Sequence, residues 1–204
     1  MRQWEISKHL PLNGEVYNNY IKKQWVSFDQ IGESFGEKVL TPEEYFRTEQ
    51  LYVDAVMLFM KFLKIDQLYV KFLDHQIYHN DPYVRDVNGN IIEYFDAKSE
   101  SINRFEKSAD KYPEAYPVCM KSLFYTIKQG QWLNHEQSQQ VIKLALRLHL
   151  GLKLSYYSDL EIEFGYEYYM YVASRKNCME IVRRIKEEGL YVTEVKYYSP
   201  WEDN

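Results

Sequence analysis

The sequence predicts an α+β fold, a mixed or antiparallel sheet with helices packed on one face. Three observations point there. Residues 161–173 read Glu-Ile-Glu-Phe-Gly-Tyr-Glu-Tyr-Tyr-Met-Tyr-Val-Ala, which a strand's period of two splits into two chemically different faces. Residues 41–63 carry a helix-start signal followed by apolar residues at helical spacing. The C-terminal third reads as helix, strand, strand, helix, strand, an α-β-β-α-β unit.

Residues 1–40 show no sustained period and carry turn signals at Asn13-Gly14, Gly32 and Gly36. They are expected to form an irregular N-terminal arm, docked by Trp4, Trp25, Val26, Phe28, Ile31 and Phe35. A helix-plus-hairpin part then covers residues 41–130. Thr41 caps the helix, Pro42 takes the first helical position, and Glu44 stands where a capping box places its acid. Leu51, Ala55, Leu58 and Phe62 supply the apolar stripe, widened by Val56 and Phe59. A short strand follows at residues 68–72. Segments 83–87 and 90–95 flank Asn88-Gly89, a strong hairpin signal because a type I′ turn needs positive φ at both central positions. Helices are expected over residues 99–109 and 118–128.

Residues 131–204 hold the α-β-β-α-β part, one continuous domain with what precedes it. Asn134 with Gln137 is an Asn-type capping box, and Val141, Leu144, Ala145 and Leu148 line the buried side of that helix. Residues 152–157 and 160–173 read as antiparallel strands, with Gly165 marking a bulge in the longer one. A helix over 176–188, with Cys178, Ile181, Val182 and Ile185 inward, stops at Gly189. Residues 191–198 are the last strand. The strand-helix-strand unit over 160–198 suits a right-handed crossover between parallel neighbours.

A chain of 204 residues buries roughly 70% of the surface its unfolded form exposes, so its core needs no staples. Its net charge of −5 argues against general affinity for nucleic acid or anionic membrane. Cys119 and Cys178 are far apart and read as reduced thiols, with Cys119 expected in the core. The N-terminus lacks a secretory h-region, and the apolar run at 51–63 is too short to span a bilayer, so a cytoplasmic location is expected.

The candidate site follows from the period-two split. Ile162, Phe164, Tyr166, Tyr168, Met170 and Val172 form the face directed at the core. Glu161, Glu163, Gly165, Glu167, Tyr169 and Tyr171 form the other, which Val192, Glu194, Lys196 and Tyr198 would extend. Solvated faces do not need aromatic rings, whereas interfaces are enriched in them. Glu161, Glu163, Glu167, Tyr169, Tyr171 and Tyr198 are therefore the expected contact residues, and the partner a basic protein.

No catalytic residues are assigned. No Gly-x-Ser-x-Gly elbow, Walker loop or dinucleotide fingerprint is present. His75 and His79 have the spacing of two helical metal ligands, but Gln76 stands where the zinc-protease pattern needs Glu, and the surroundings read as strand end and loop. Cys178 lies in an apolar stripe. No metal and no cofactor are expected. In profile the chain is similar to the small acidic bacterial immunity proteins that neutralise polymorphic toxins, a likeness that implies a cofactor-free inhibitor and transfers no residue roles. The alternatives are an enzyme with a dispersed site near His75 and His79, and a structural or regulatory subunit that oligomerises through the same face.

Overall fold

The computed structural model describes residues 1–10, 24–74, 83–85, 91–94 and 97–196. Its centre is a seven-stranded antiparallel sheet. The strands are β1 (Arg2–Ser7), β4 (Gln67–Asp74), β7 (Trp132–Asn134), β8 (Gly151–Tyr156), β9 (Leu160–Phe164), β10 (Tyr169–Ser174) and β11 (Tyr191–Val195). Two further strand pairs stand apart, β2 (Ser34–Phe35) with β3 (Lys38–Val39) and β5 (Tyr83–Arg85) with β6 (Ile91–Tyr94). The helices are α1 (Pro42–Leu63), α2 (Ala97–Lys111), α3 (Val118–Thr126), α4 (His135–Leu146) and α5 (Met179–Glu187). This is the α+β architecture expected.

Strand order is β11-β1-β10-β9-β8-β4-β7. The register places Trp4, Val172, Ile162, Leu154 and Val70 in one row, and all five are buried. Helices α1, α4 and α5 pack on that side. Helix α1 starts as its cap requires, with Thr41 Oγ1 accepting the Glu44 amide at 3.2 Å. The box at α4 forms in both directions, between Asn134 and Gln137. Helix α5 gives way to Gly189 at φ +110, with Leu190 buried behind it.

Four expectations need correction. Residues 2–7, read as part of an irregular arm, form a strand in the interior of the sheet, because Trp4 and Ile6 share its buried side. The single strand over 160–173 is a hairpin, β9 and β10, turning at residues 165–168, so with β7 at its start the C-terminal part is β-α-β-β-β-α-β. β10 and β11 do run parallel, but β1 lies between them and pairs antiparallel with both. The apolar stripe of α1 is rotated in part: Ala55, Val56 and Phe59 are buried as expected and are joined by Tyr45, Tyr52, Val53 and Met60, while Leu51 and Leu58 are half-buried and Phe62 is 40% exposed. The two tyrosines fill the face that aliphatic counting alone misplaces. The Asn88-Gly89 turn lies outside the described residues, though β5 and β6 on either side of it do pair antiparallel.

The buried face of α1 also carries Glu49, which meets Arg147 just beyond α4. Both side chains are 2% exposed, and the Arg147 Nε and Nη2 groups each donate to a Glu49 oxygen at 2.7 Å. Arg147 Nη1 donates to the Ala115 carbonyl at 2.7 Å, and the guanidinium lies 4.6 Å from the Tyr116 ring centroid. Tyr116 shares a 2.7 Å hydrogen bond with buried His149, and Phe105 and Phe124 stack at 3.9 Å alongside. This polar core ties α1 and α4 to the α2–α3 layer.

Candidate functional site

On the side of the sheet opposite the helices, the register sets Thr193, Glu5, Tyr171, Glu163 and Lys153 in one row. The neighbouring row holds Gln3, Ala173, Glu161 and Ser155. The expected contact residues Glu161, Glu163, Tyr169 and Tyr171 do fall on this common side, but they do not make an open acidic patch. Glu163 is only 4% exposed and pairs with Lys153 at 3.1 Å. Glu161 pairs with Lys71 at 2.6 Å, and the bulge after Val70 lets that lysine reach it. The strand periodicity separates the two faces of β9 and β10 and fails at the turn between them, where Tyr166, expected inward, is exposed. The cations that cover the carboxylates come from β8 and β4, which no local pattern connects to β9. Tyr171 donates to Glu5 at 3.2 Å, and burial raises the Glu5 carboxyl against that hydrogen bond.

Glu167 belongs to neither row, because it sits in the β9–β10 turn. Glu167 (φ +56) and Tyr168 (φ +66) are consecutive non-glycine residues in the left-handed region. The Tyr169 amide donates to the Tyr166 carbonyl at 3.1 Å, and the Gly165 amide to the Tyr169 carbonyl at 2.8 Å, closing a tight turn with the type I′ signature. Such a turn ordinarily uses Asn-Gly, and each left-handed L-residue costs roughly 1–2 kcal/mol. What holds it is tertiary. The Tyr168 ring is buried edge-on against Trp25, Tyr45 and Tyr52. Tyr52 donates its hydroxyl hydrogen to the Tyr168 carbonyl at 2.6 Å and accepts the Lys8 amide at 2.6 Å. His9 Nε2 lies 2.9 Å from the Glu167 carbonyl, so that nitrogen is the protonated one. Burial and the nearby Lys8 charge lower His9 to about 4, against the opposing Gln24 and Glu167 hydrogen bonds, and the ring is neutral at pH 7.

With Tyr168 anchored inward, Tyr166 projects outward at 46% exposure beside partly exposed Glu167. A cavity of ≈ 390 Å³ adjoins them, lined by Val26, Ser27, Asp29, Arg104, Leu148, Tyr166 and Glu167. Arg104 pairs with Asp29 at 3.4 Å. A second cleft, of ≈ 400 Å³, lies where the end of β1, the face of α1 and the turn after α5 converge, and it includes Lys8, Trp25, Glu44, Arg47 and Glu188. The Lys8 ammonium lies 3.8 Å from the Trp25 ring centroid. Burial lowers Lys8 to about 7, with Glu44 opposing.

Among the described residues there is no group of three or more His, Cys, Asp or Glu side chains arranged to hold a metal, and no helix is long and apolar enough to cross a membrane. His75, His79 and Tyr198 lie outside the described residues. Cys178 is buried at the start of α5, and burial raises its thiol, against an opposing Ser174 hydrogen bond. Cys119, expected in the core, is instead exposed in α3. Comparison with protein-family models, with curated proteins and with solved structures finds no match.

Proposed function

We propose that this is a non-enzymatic protein-binding or inhibitor protein that engages a basic partner through the β9–β10 tip and the tyrosines beside it. The observation that carries the reading is the rigid turn: two left-handed residues, strained and held by buried contacts, present Tyr166 and Glu167 to solvent. Strain of this kind clusters at functional sites, where surrounding structure over-determines it. In the adjoining cavity Val26 and Leu148 would cover an aliphatic stem, and because Asp29 is paired with Arg104 the charge of a basic side chain would be met on the Glu167 side. Tyr169 and Tyr171, both partly exposed, extend the surface along β10. Glu161 and Glu163 are committed to lysines and contribute register rather than charge. The net charge of −5 would steer a basic protein toward the surface. A cytoplasmic inhibitor of the immunity type belongs to this reading.

The test is cross-linking of the native protein in its source lysate, followed by binding measurements with the purified partner. Glu167→Lys is expected to slow association, and Tyr166→Ala to speed dissociation, with a loss on the order of 2 kcal/mol for an aromatic anchor. Both variants should melt within a few degrees of the parent. A partner that binds both variants as it binds the parent would overturn the reading. A self-complex found by mass measurement would replace it with the oligomerising subunit.

A further inference from the structure

The cleft beside α1 is separate from the β9–β10 surface, and its chemistry is of a different kind. Glu44, Arg47, Thr48 and Leu51 lie on one face of α1 at helical spacing, and all four line the cleft. Lys8 and Trp25 enter from the N-terminal segment, and Glu188, Gly189 and Leu190 from the turn after α5. Two cations and two carboxylates thus share one concavity. No salt bridge joins any of these four groups to another described residue. For Arg47 and Glu188, both exposed, that is unremarkable. For Lys8 it is not, because its half-buried amine rests on the Trp25 ring, with Glu44 acting on it only from beyond salt-bridge distance. Its backbone is also fixed, the amide being bonded to Tyr52. A positioned cation with no carboxylate in direct contact, and carboxylates elsewhere in the same cleft, is complementary to a molecule that carries both charges close together.

We propose that this cleft binds a small α-amino acid, with the carboxylate held by Lys8 and Arg47, the ammonium by Glu44 and Glu188, and the side chain lying against Trp25, Leu51 and Leu190. The volume of ≈ 400 Å³ falls within the range of small-molecule sites. A simple anion is a poorer match, because Glu44 and Glu188 would repel it. A simple cation would meet Lys8 and Arg47.

The experiment is a titration of the whole protein with the common amino acids, followed through the Trp25 indole resonance and by calorimetry. The best binder is then compared with its N-acetyl and its C-terminal amide forms. Saturable binding is expected, falling about tenfold to a hundredfold when either ligand charge is removed. Lys8→Met keeps the apolar stem and should abolish the preference for the carboxylate over the amide. Glu188→Gln, at an exposed position, should weaken the preference for the free ammonium. The proposal is overturned if no amino acid moves the Trp25 resonance at millimolar concentration. It is equally overturned if the acetylated and amidated forms bind as the parent ligand does. Those comparisons change only the ligand, so they decide the matter even if Lys8→Met does not fold.

Discussion

Glu49→Gln should be among the most destabilising single substitutions in this protein. The carboxylate accepts two 2.7 Å hydrogen bonds from Arg147, and both partners are 2% exposed. In the variant the Gln amide offers Arg147 one oxygen but sets its NH2 against the other guanidinium donor, and the charge stays buried without a neutralising partner, among the rings of Phe28, Phe46 and Tyr116. Arginine does not escape by losing its proton, so the charge remains. Breaking a buried pair from one side costs about 3–5 kcal/mol. In a chain of this size each kcal/mol lowers the melting temperature by about 2–4 °C, so a drop of roughly 6–20 °C is expected. Arg147→Met should cost a similar amount, by stranding Glu49. The double variant Glu49→Leu with Arg147→Met should recover most of the loss, because apolar replacement of a whole buried pair is often neutral. Urea melts of parent, singles and double give the coupling energy directly. If each single variant loses less than about 1 kcal/mol and the double equals their sum, the pair is not the electrostatic unit inferred here.

Three further outcomes are expected. Acidification should weaken the fold between about pH 6.5, the ordinary histidine value, and about pH 4, where His9 titrates in the folded protein, because the unfolded chain binds more protons across that window. His149, also lowered by burial, acts in the same direction, and His9→Gln should flatten the pH dependence of the urea midpoint; an unchanged slope would refute the assignment. Glu167→Gly should raise stability by up to about 1 kcal/mol, since glycine relieves the left-handed strain at φ +56 while adding chain entropy to the unfolded state; a loss of that size would show that the Glu167 side chain stabilises the turn. Lys8 should react with acetic anhydride along a pH profile centred near 7, far below an ordinary lysine, and stability should rise as pH climbs from there towards about 10.4, since the unfolded lysine holds more proton in that interval; a labelling midpoint near 10 would refute it.

Much of the fold was legible because its signals are local. The Thr41 and Asn134 caps, the stop at Gly189 and the buried row through Ile162 and Val172 each depend on residues within a turn or a strand of one another. β1 carried a readable alternation, Trp4 and Ile6 against Gln3 and Glu5, but it was short and surrounded by turn residues. The β9–β10 hairpin was not legible, since Glu167-Tyr168 has neither the Gly nor the Asn that a left-handed turn usually advertises. The conformation is imposed by the pocket that takes Tyr168, built from residues far away in sequence. Tyr166, expected on the core face, is exposed at the turn, yet the other five residues of that face are buried, and parity explains why. Phe164 pairs with Met170 and Ile162 with Val172, so even-numbered residues share a face on both strands. Folding the segment back on itself left that alternation intact.

The charge of the opposite face is where local reading ran out. Alternation places Glu161 and Glu163 on one side of a strand, but the potential there depends on the next strands in the row, which are set by topology. Lys153 on β8 and Lys71 at the β4 bulge fill those positions and turn a run of acids into two ion pairs. The cleft at Lys8 shows the converse. Glu44, Arg47, Thr48 and Leu51 are a regular helical face in the sequence, with nothing acidic or basic enough to stand out. They become a site only when Lys8, Trp25 and Glu188 arrive from distant segments. Local spacing therefore identifies which residues share a surface, and long-range packing decides whether their charges are used within the fold or remain available to a ligand.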